Sequence, residues 1–295
     1  MRRCRIESLG VSPPRRGAAG WGWGALRHAV AAGKSCLRSS RHRPADVRVL
    51  VNSGVHRDGH VCEPAIAAYI QHRLGINTEF QGRRTLSFDL LNGGCGMLNA
   101  AQVLWALMQG GDVPVGMAVA SEANGDRRPD PASAIAASGA ALLLDISPRR
   151  DVGFGSFAFR TDDTAADLYT SVVDLTVRRG RLLLRRRAEL EQAYLAMVGA
   201  AVDEALAKEG LSREQIDRVV PAQISAGFLS RLPAASGFPR ERVADLTGQL
   251  PDTISTSVFL ALQRSLAARP PARGEKALLI ACGAGVTVAA ATYHF

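Results

Sequence analysis

Short apolar runs alternate with amphipathic stretches along this chain, a pattern typical of layered α/β proteins. In the first half, apolar runs predict strands at 4–9, 47–52, 85–90, 113–121 and 140–146. Periodic apolar positions predict helices at 26–37, 64–74 and 97–108, and the Gly- and Arg-rich stretch 15–23 is predicted to be a loop. Because parallel strands need helical crossovers, this order predicts sheets covered by helices.

The second half shows a similar order of elements. Helices are predicted at 188–209, 226–232 and 255–267, and strands at 218–220, 242–246, 277–282 and 286–293. A repeated order of this length indicates an internal duplication of βαβαβ type. The chain is therefore expected to fold as two similar halves, residues 1–150 and 151–295.

Composition narrows the class of protein. The chain has 295 residues, of which 47% are hydrophobic, enough for a large core. No apolar run reaches about 18 residues, and no apolar stretch follows the N-terminal arginines, so neither a membrane span nor a secretory signal is expected. A cytoplasmic location follows by default. The five cysteines are scattered and form no CxxC pair, which predicts neither disulfides nor a metal site, and no cofactor is indicated.

Arginine dominates the formal net charge of +9, and six arginines lie between positions 178 and 187. One interpretation is a solvated loop and helix start. The other is a docking face for an acidic partner, such as a carrier protein or the phosphates of coenzyme A. A nucleic-acid partner is disfavoured, because only 5% of the residues are aromatic and the cluster contains none to stack on bases.

Four segments carry the candidate chemistry. They are SFDLLNGGCGML at 87–98, DRVVPAQ at 217–223, PDTISTSV at 251–258 and ACGAGVT at 281–287. Each resembles a motif of the ketoacyl-ACP synthase III family of the thiolase superfamily, and together they follow the family order across nearly the whole chain. The resemblance implies an α/β thiolase fold, with duplicated halves in a layered α-β-α-β-α architecture.

The resemblance also implies a cysteine nucleophile at a helix N-terminus, where the helix dipole and backbone N–H groups activate the thiol and bind an oxyanion. Counting from Phe88 and Asp89 places Gly94, not cysteine, at that position, and Cys95 follows one residue later. Either the turn is shifted and Cys95 works as the nucleophile, or Cys95 is buried and inactive. By the same resemblance, Gly96 and Gly285 would shape the nucleophile loop and the oxyanion environment.

Two further positions depart from the family pattern. Ala222 stands where the family has histidine, and alanine neither donates a hydrogen bond nor accepts a proton. Asp252 stands where the family has asparagine, as in relatives that esterify alcohols, although a helix-capping role is the alternative. His56 or His60 could supply the missing base, unless both lie in an exposed polar loop.

Three functions are consistent with these residues. The chain could be a catalytically degenerate subunit that partners an active ketosynthase III homologue in fatty acid or polyketide-type secondary metabolism. It could be an acyltransferase that uses Cys95 as nucleophile and Asp252 with a histidine as base. It could also be a scaffold that binds a carrier protein. The implied partners are acyl-CoA or acyl carrier protein, and a homodimer or a heterodimer with a homologue.

Overall fold

The computed structural model describes residues 2–14, 24–78, 84–126, 133, 135–177 and 180–295, so the loop predicted at 15–23 lies outside it. The strands are β1 (Cys4–Ser12), β2 (Val49–Asn52), β3 (Leu86–Asp89), β4 (Val115–Glu122), β5 (Ser138–Ile146), β6 (Gly153–Thr161), β7 (Tyr169–Asp174), β8 (Arg181–Arg186), β9 (Arg218–Pro221), β10 (Lys276–Gly283) and β11 (Thr287–His294). The helices are α1 (Ala25–Ser39), α2 (Ile66–Leu74), α3 (Gly96–Gln109), α4 (Leu190–Ala207), α5 (Ala226–Ser236) and α6 (Ser257–Ala268).

Two sheets repeat one strand order, which confirms the predicted duplicated fold. The first sheet runs β1-β5-β4-β2-β3 and the second runs β6-β11-β10-β9. In each sheet the strands that join through helical crossovers are parallel, as in β2 with β4 and β9 with β10. The last two strands of each half are antiparallel neighbours, β4 with β5 and β10 with β11. Because β3 has β2 as its one strand neighbour, it forms an edge of the first sheet.

Helices α3 and α6 lie between the two sheets, in the middle layer. Their apolar side chains, such as Leu104 and Phe259, share one core with residues of both sheets. Successive side chains of β2 point to opposite faces of the first sheet. Val51 packs in the middle core, and Leu50 packs in the core under α1 and α2. Helices α4 and α5 cover the other face of the second sheet. The result is the layered α-β-α-β-α arrangement.

One predicted strand is wrong. Residues 242–246 form no strand, and only Val243 makes a single bridge, to Val219 of β9. The N–H of Ala244 still bonds to the Val219 carbonyl, but past it the backbone bonds to side chains: Gln223 Oε1 accepts the N–H of Leu246 and Asp245 Oδ1 accepts that of Thr247. Such local side-chain bonds compete with a sheet ladder.

A solvated loop and helix start, one of the two interpretations of the arginine cluster at 178–187, is wrong for residues 181–186, because β8 pairs with β7 in a two-stranded hairpin. Leu182 and Leu184 are buried while Arg181 and Arg185 are exposed, an alternation that suits a half-buried strand. Arg178 and Arg179 lie outside the described residues. In the described part of the chain, no helix is long and apolar enough to cross a membrane.

Candidate active site

The glycine-rich turn that carries Cys95 joins β3 to α3. Residues Gly93–Cys95 form a single 3₁₀ turn, and Cys95 directly precedes α3. The Cys95 side chain is completely buried, with Sγ 3.5 Å from the carbonyl oxygen of Thr287 in β11. Burial raises the pKa of this thiol to about 12, because a thiolate would lose its hydration there. Position at a helix start therefore does not activate Cys95 in this structure.

Gly94, which the motif resemblance predicts at the nucleophile position, packs backbone to backbone against the C-terminal hairpin. A Cβ at Gly94 would lie 2.0 Å from the carbonyl oxygen of Cys282, closer than any real contact. A Cβ at Gly96 would lie 2.9 Å from the Cβ of Ser53 and 3.1 Å from its carbonyl oxygen. Gly285, in contrast, has a φ of +72° and open space around it, so its glycine serves the turn conformation. No side chain fits at Gly94 in this arrangement.

A small pocket lies beside the turn, between α4 and the loop before α6. Its volume is about 30 Å³, enough for one or two waters but not for an acyl chain. Both Ala222 and Asp252 line it, so the two residues predicted at the family's histidine and asparagine positions share one cavity. Cys282 is among its other lining residues, whereas Cys95 is not. The complete lining is Tyr169, Arg186, Leu190, Tyr194, Ala222, Ile224, Asp252, Ile254 and Cys282.

Asp252 forms an ion pair with Arg186. One of its carboxylate oxygens lies 3.0 Å from the Arg186 guanidinium, and the other accepts the N–H of Ile254 at 2.9 Å. Burial raises the pKa of this carboxyl, and the Arg186 charge opposes that rise. Asp252 precedes Thr253, the N-cap of the short turn before α6, and its bond satisfies the N–H of Ile254, a β-branched residue held at a φ of +54°. Asp252 thus combines this bond to the backbone of the turn with a salt bridge.

His56 belongs to a separate buried network. Its Nδ1 lies 2.6 Å from Glu122 Oε2, and its Nε2 lies 2.9 Å from Ser171 Oγ. His60 pairs with Asp126 at 2.8 Å. In the described part of the chain, neither histidine hydrogen-bonds to Cys95 or Asp252. The structure therefore leaves the three predicted catalytic residues in separate hydrogen-bonded groups.

Sequence reasoning missed Glu122, Ser171 and Tyr169, and it placed Arg186 in a cluster interpreted either as a solvated loop or as a docking face. Glu122 had a usable signal, since a carboxylate directly follows the apolar run 113–121 at the carboxyl end of a strand, where α/β proteins place functional groups. Ser171 and Tyr169 lie on β7, which the apolar pattern did not predict. No local signal marks them.

The burial of Cys95 leads to a prediction about thiol reactivity. We expect iodoacetamide at pH 8 to modify exposed Cys62 rapidly and to leave Cys95 unmodified while the protein is folded. With a pKa of about 12, the thiolate fraction of Cys95 at that pH is on the order of 10⁻⁴. Peptide mapping by mass spectrometry measures both sites, and a Cys62→Ser variant controls for the fast label. Rapid labelling of Cys95 would show that the thiol is activated.

Comparison with known proteins agrees with this architecture. The family model "3-Oxoacyl-[acyl-carrier-protein (ACP)] synthase III C terminal" matches residues 206–295. The β-ketoacyl-ACP synthase III of Coxiella burnetii is 34% identical over 103 residues, which are 35% of this chain and 32% of that protein. The chain thus aligns with about a third of the length of the first curated relatives. The enzyme of the same name from Acidiphilium cryptum is 26% identical over 239 residues, 79% of this chain and 72% of that protein.

Solved structures extend the match to the whole chain. The β-ketoacyl-ACP synthase III of Thermus thermophilus superimposes with a TM-score of 0.83 and 25% identity, over 99% of each chain. The fold is therefore the thiolase fold, with its strand order repeated in two sheets. The chain is thus similar to β-ketoacyl-ACP synthase III in fold over its whole length, and residues 206–295 also match the C-terminal family model.

Proposed function

We propose that this chain is a ketoacyl synthase III-like subunit of fatty acid or polyketide-type secondary metabolism that has lost cysteine-based condensation and pairs with an active homologue. One observation carries the proposal. The pocket that Ala222 and Asp252 line contains no histidine, and the nearby Cys95 is buried outside its lining with a raised pKa. Acyl-CoA or acyl carrier protein would be the thioester handled by the assembled pair.

The chemistry of condensation supports this proposal. The reaction needs a thiolate for acyl transfer and hydrogen-bond donors for the charge that develops during decarboxylation. Ala222 supplies no donor, and Asp252 is an acceptor already occupied by Arg186 and the Ile254 N–H. Gly94 has no space for a side chain, so a nucleophile at the family's own position is also excluded.

The partnership rests on the free edge of the first sheet. Strand β3 leads directly into the glycine turn and has one strand neighbour. An edge strand presents unpaired backbone groups that another chain can pair with. Leu86 at the start of β3 is 59% exposed, and Leu91 just after it is 55% exposed. A homologue that docks along β3 would cover both leucines and lie next to the Cys95 turn.

Acyl transfer to the protein tests the loss of cysteine chemistry. We expect intact-protein mass spectrometry to show no acyl gain on Cys95 after incubation with a panel of acyl-coenzyme A and acyl-carrier thioesters. The panel is run on wild type, Cys95→Ala and the exposed-cysteine control Cys62→Ala. A mass gain of one acyl group that persists in Cys62→Ala and disappears in Cys95→Ala would contradict the proposal. A stable homodimer with full condensing activity would contradict the partnership.

Acyl transfer through Cys95 is the second candidate, and one observation favours it. Cys95 sits at the start of α3, where the helix dipole favours a thiolate whenever the site opens to solvent. The mass gain described above would support this candidate directly. The scaffold alternative has less support, because Arg186 and Arg187 of the arginine cluster are already paired with Asp252 and Asp167.

A further inference from the structure

We propose that Ser171, His56 and Glu122 form a serine-type acyl-transfer site, separate from the Cys95 turn, that cleaves acyl esters or thioesters. The three side chains make a continuous chain of hydrogen bonds from a surface hydroxyl to a buried carboxylate. Ser171 Oγ lies 2.9 Å from His56 Nε2, and His56 Nδ1 lies 2.6 Å from Glu122 Oε2. A nucleophile, a base and a group that orients the base, in this order, define the geometry of a catalytic triad.

The partners of His56 fix the direction of proton transfer. An ionised Glu122 carboxylate only accepts hydrogen bonds, so His56 Nδ1 carries the hydrogen of that bond. In the neutral imidazole, His56 Nε2 is then the acceptor, and the Ser171 hydroxyl donates to it. This tautomer is the one that can remove the serine proton. Because His56 is only 6% exposed, its ring is held by the surrounding protein.

Glu122 is held rigidly in its position. It is completely buried at the end of β4, and its Oε1 accepts the N–H of Val55 at 3.1 Å and the hydroxyl of Ser255. Its Oε2 accepts the backbone N–H of His56 at 3.0 Å as well as the bond from the ring. A carboxylate with four donors keeps one orientation, so it can hold the imidazole and stabilise the imidazolium that forms.

Ser171 is open to solvent and has apolar neighbours. It is exposed on β7, and Val173, two residues on and therefore on the same face, is 37% exposed. Leu184, opposite Ser171, donates its N–H to Ser133 on the far side of β8. Ser171 is therefore at a non-hydrogen-bonded ladder position, and its own N–H points away from β8. That N–H can donate to an acyl oxygen beside the hydroxyl, and Val173 offers a surface for an acyl chain.

The reaction balances without a cofactor. Ser171 Oγ attacks the acyl carbonyl carbon of the ester or thioester while His56 Nε2 accepts the hydroxyl proton. The bond to the leaving alcohol or thiol breaks, and that group departs with the proton from His56. A water molecule then attacks the acyl-serine, with His56 again accepting a proton and returning it to Ser171. The products are the carboxylic acid and the alcohol or thiol.

A fluorophosphonate probe tests the site, because it reacts only with activated hydroxyls. Attack by Ser171 forms an oxygen–phosphorus bond and releases fluoride, with the proton passing to His56. We expect one phosphonyl group per wild-type chain, mapped by peptide mass spectrometry to Ser171. The exposed-hydroxyl control Ser230→Ala should label at the wild-type rate, and Ser171→Ala should not label. His56→Gln should slow labelling by about a hundredfold or more.

Hydrolysis of short-chain p-nitrophenyl esters should fall in parallel with labelling in the Ser171→Ala and His56→Gln variants. Circular dichroism confirms that each variant is folded. The proposal is overturned if folded wild type takes up no probe, if the label maps elsewhere, or if His56→Gln labels at the wild-type rate. Because peptide mapping separates Ser171 from Cys95, failure here is distinct from failure of the proposed loss of cysteine chemistry.

Discussion

Replacing Gly94 with alanine is expected to lower the free energy of unfolding by about 3 kcal/mol, because the new Cβ has no space. It would lie 2.0 Å from the Cys282 carbonyl oxygen, and backbone on both sides limits relaxation. Either the Gly93–Cys95 turn or the hairpin that joins β10 to β11 must shift. Gly94→Cys is expected to be destabilised at least as much, so it does not restore a working nucleophile.

Urea unfolding, monitored by circular dichroism, measures the change in the free energy of unfolding, with Gly110→Ala as the matched control. Gly110 follows the last residue of α3 and has a φ of −70°. A Cβ built on Gly110 would lie 3.5 Å from the carbonyl oxygen of Leu107, which is an ordinary contact distance. Alanine there should change the stability by less than about 1 kcal/mol. If Gly94→Ala proved as stable as wild type, the turn would have room for a side chain, and a shifted nucleophile loop would again be feasible.

Replacing Glu122 with alanine is expected to cost about 3–5 kcal/mol of stability. The side chain accepts from the N–H groups of Val55 and His56, from the His56 ring and from the Ser255 hydroxyl. Alanine would leave these buried donors without an acceptor and would open a cavity at the end of β4. Glu122→Gln keeps the volume but turns one acceptor into a donor, so a smaller loss is expected.

The same unfolding measurement checks this prediction, with Glu241→Ala as control. Glu241 is exposed, and its removal should change the stability by less than about 0.5 kcal/mol. If Glu122→Ala changed the stability by no more than the Glu241→Ala control, the hydrogen bonds to the Glu122 carboxylate would contribute little to folding. It would also weaken the serine-site proposal, which depends on a firmly oriented His56.

The sequence predicted the fold well because its strands are strongly apolar and its motifs fall in order. Strand β4, for example, is buried at every position, so its apolar run is unambiguous. The hairpin β7–β8 was not predicted because β8 is a run of three consecutive leucines between arginines, which shows no apolar–polar alternation in the sequence. The strand predicted at 242–246 failed for the opposite reason, since side-chain bonds to the backbone outweigh its local apolar pattern.

The candidate site was only partly predictable. Motif order found Cys95, Ala222 and Asp252, and the structure places the last two in one pocket. The extent of Cys95 burial depends on Thr287, 192 residues away, which no local pattern can show. The bonds of His56 to Glu122 and Ser171 span 66 and 115 residues, so only the folded chain brings them together. Their catalytic roles remain predictions.

The middle helical layer has a consequence for how this protein folds. Because α3 and α6 pack against both sheets, each half on its own would leave an apolar helix face and an apolar sheet face in water. The glycine turn gains its contacts with the C-terminal hairpin only after nearly the whole chain has been synthesised. Contacts of such large sequence separation form slowly. The first half must therefore stay partly open, and at risk of aggregation, until the second half emerges to cover it.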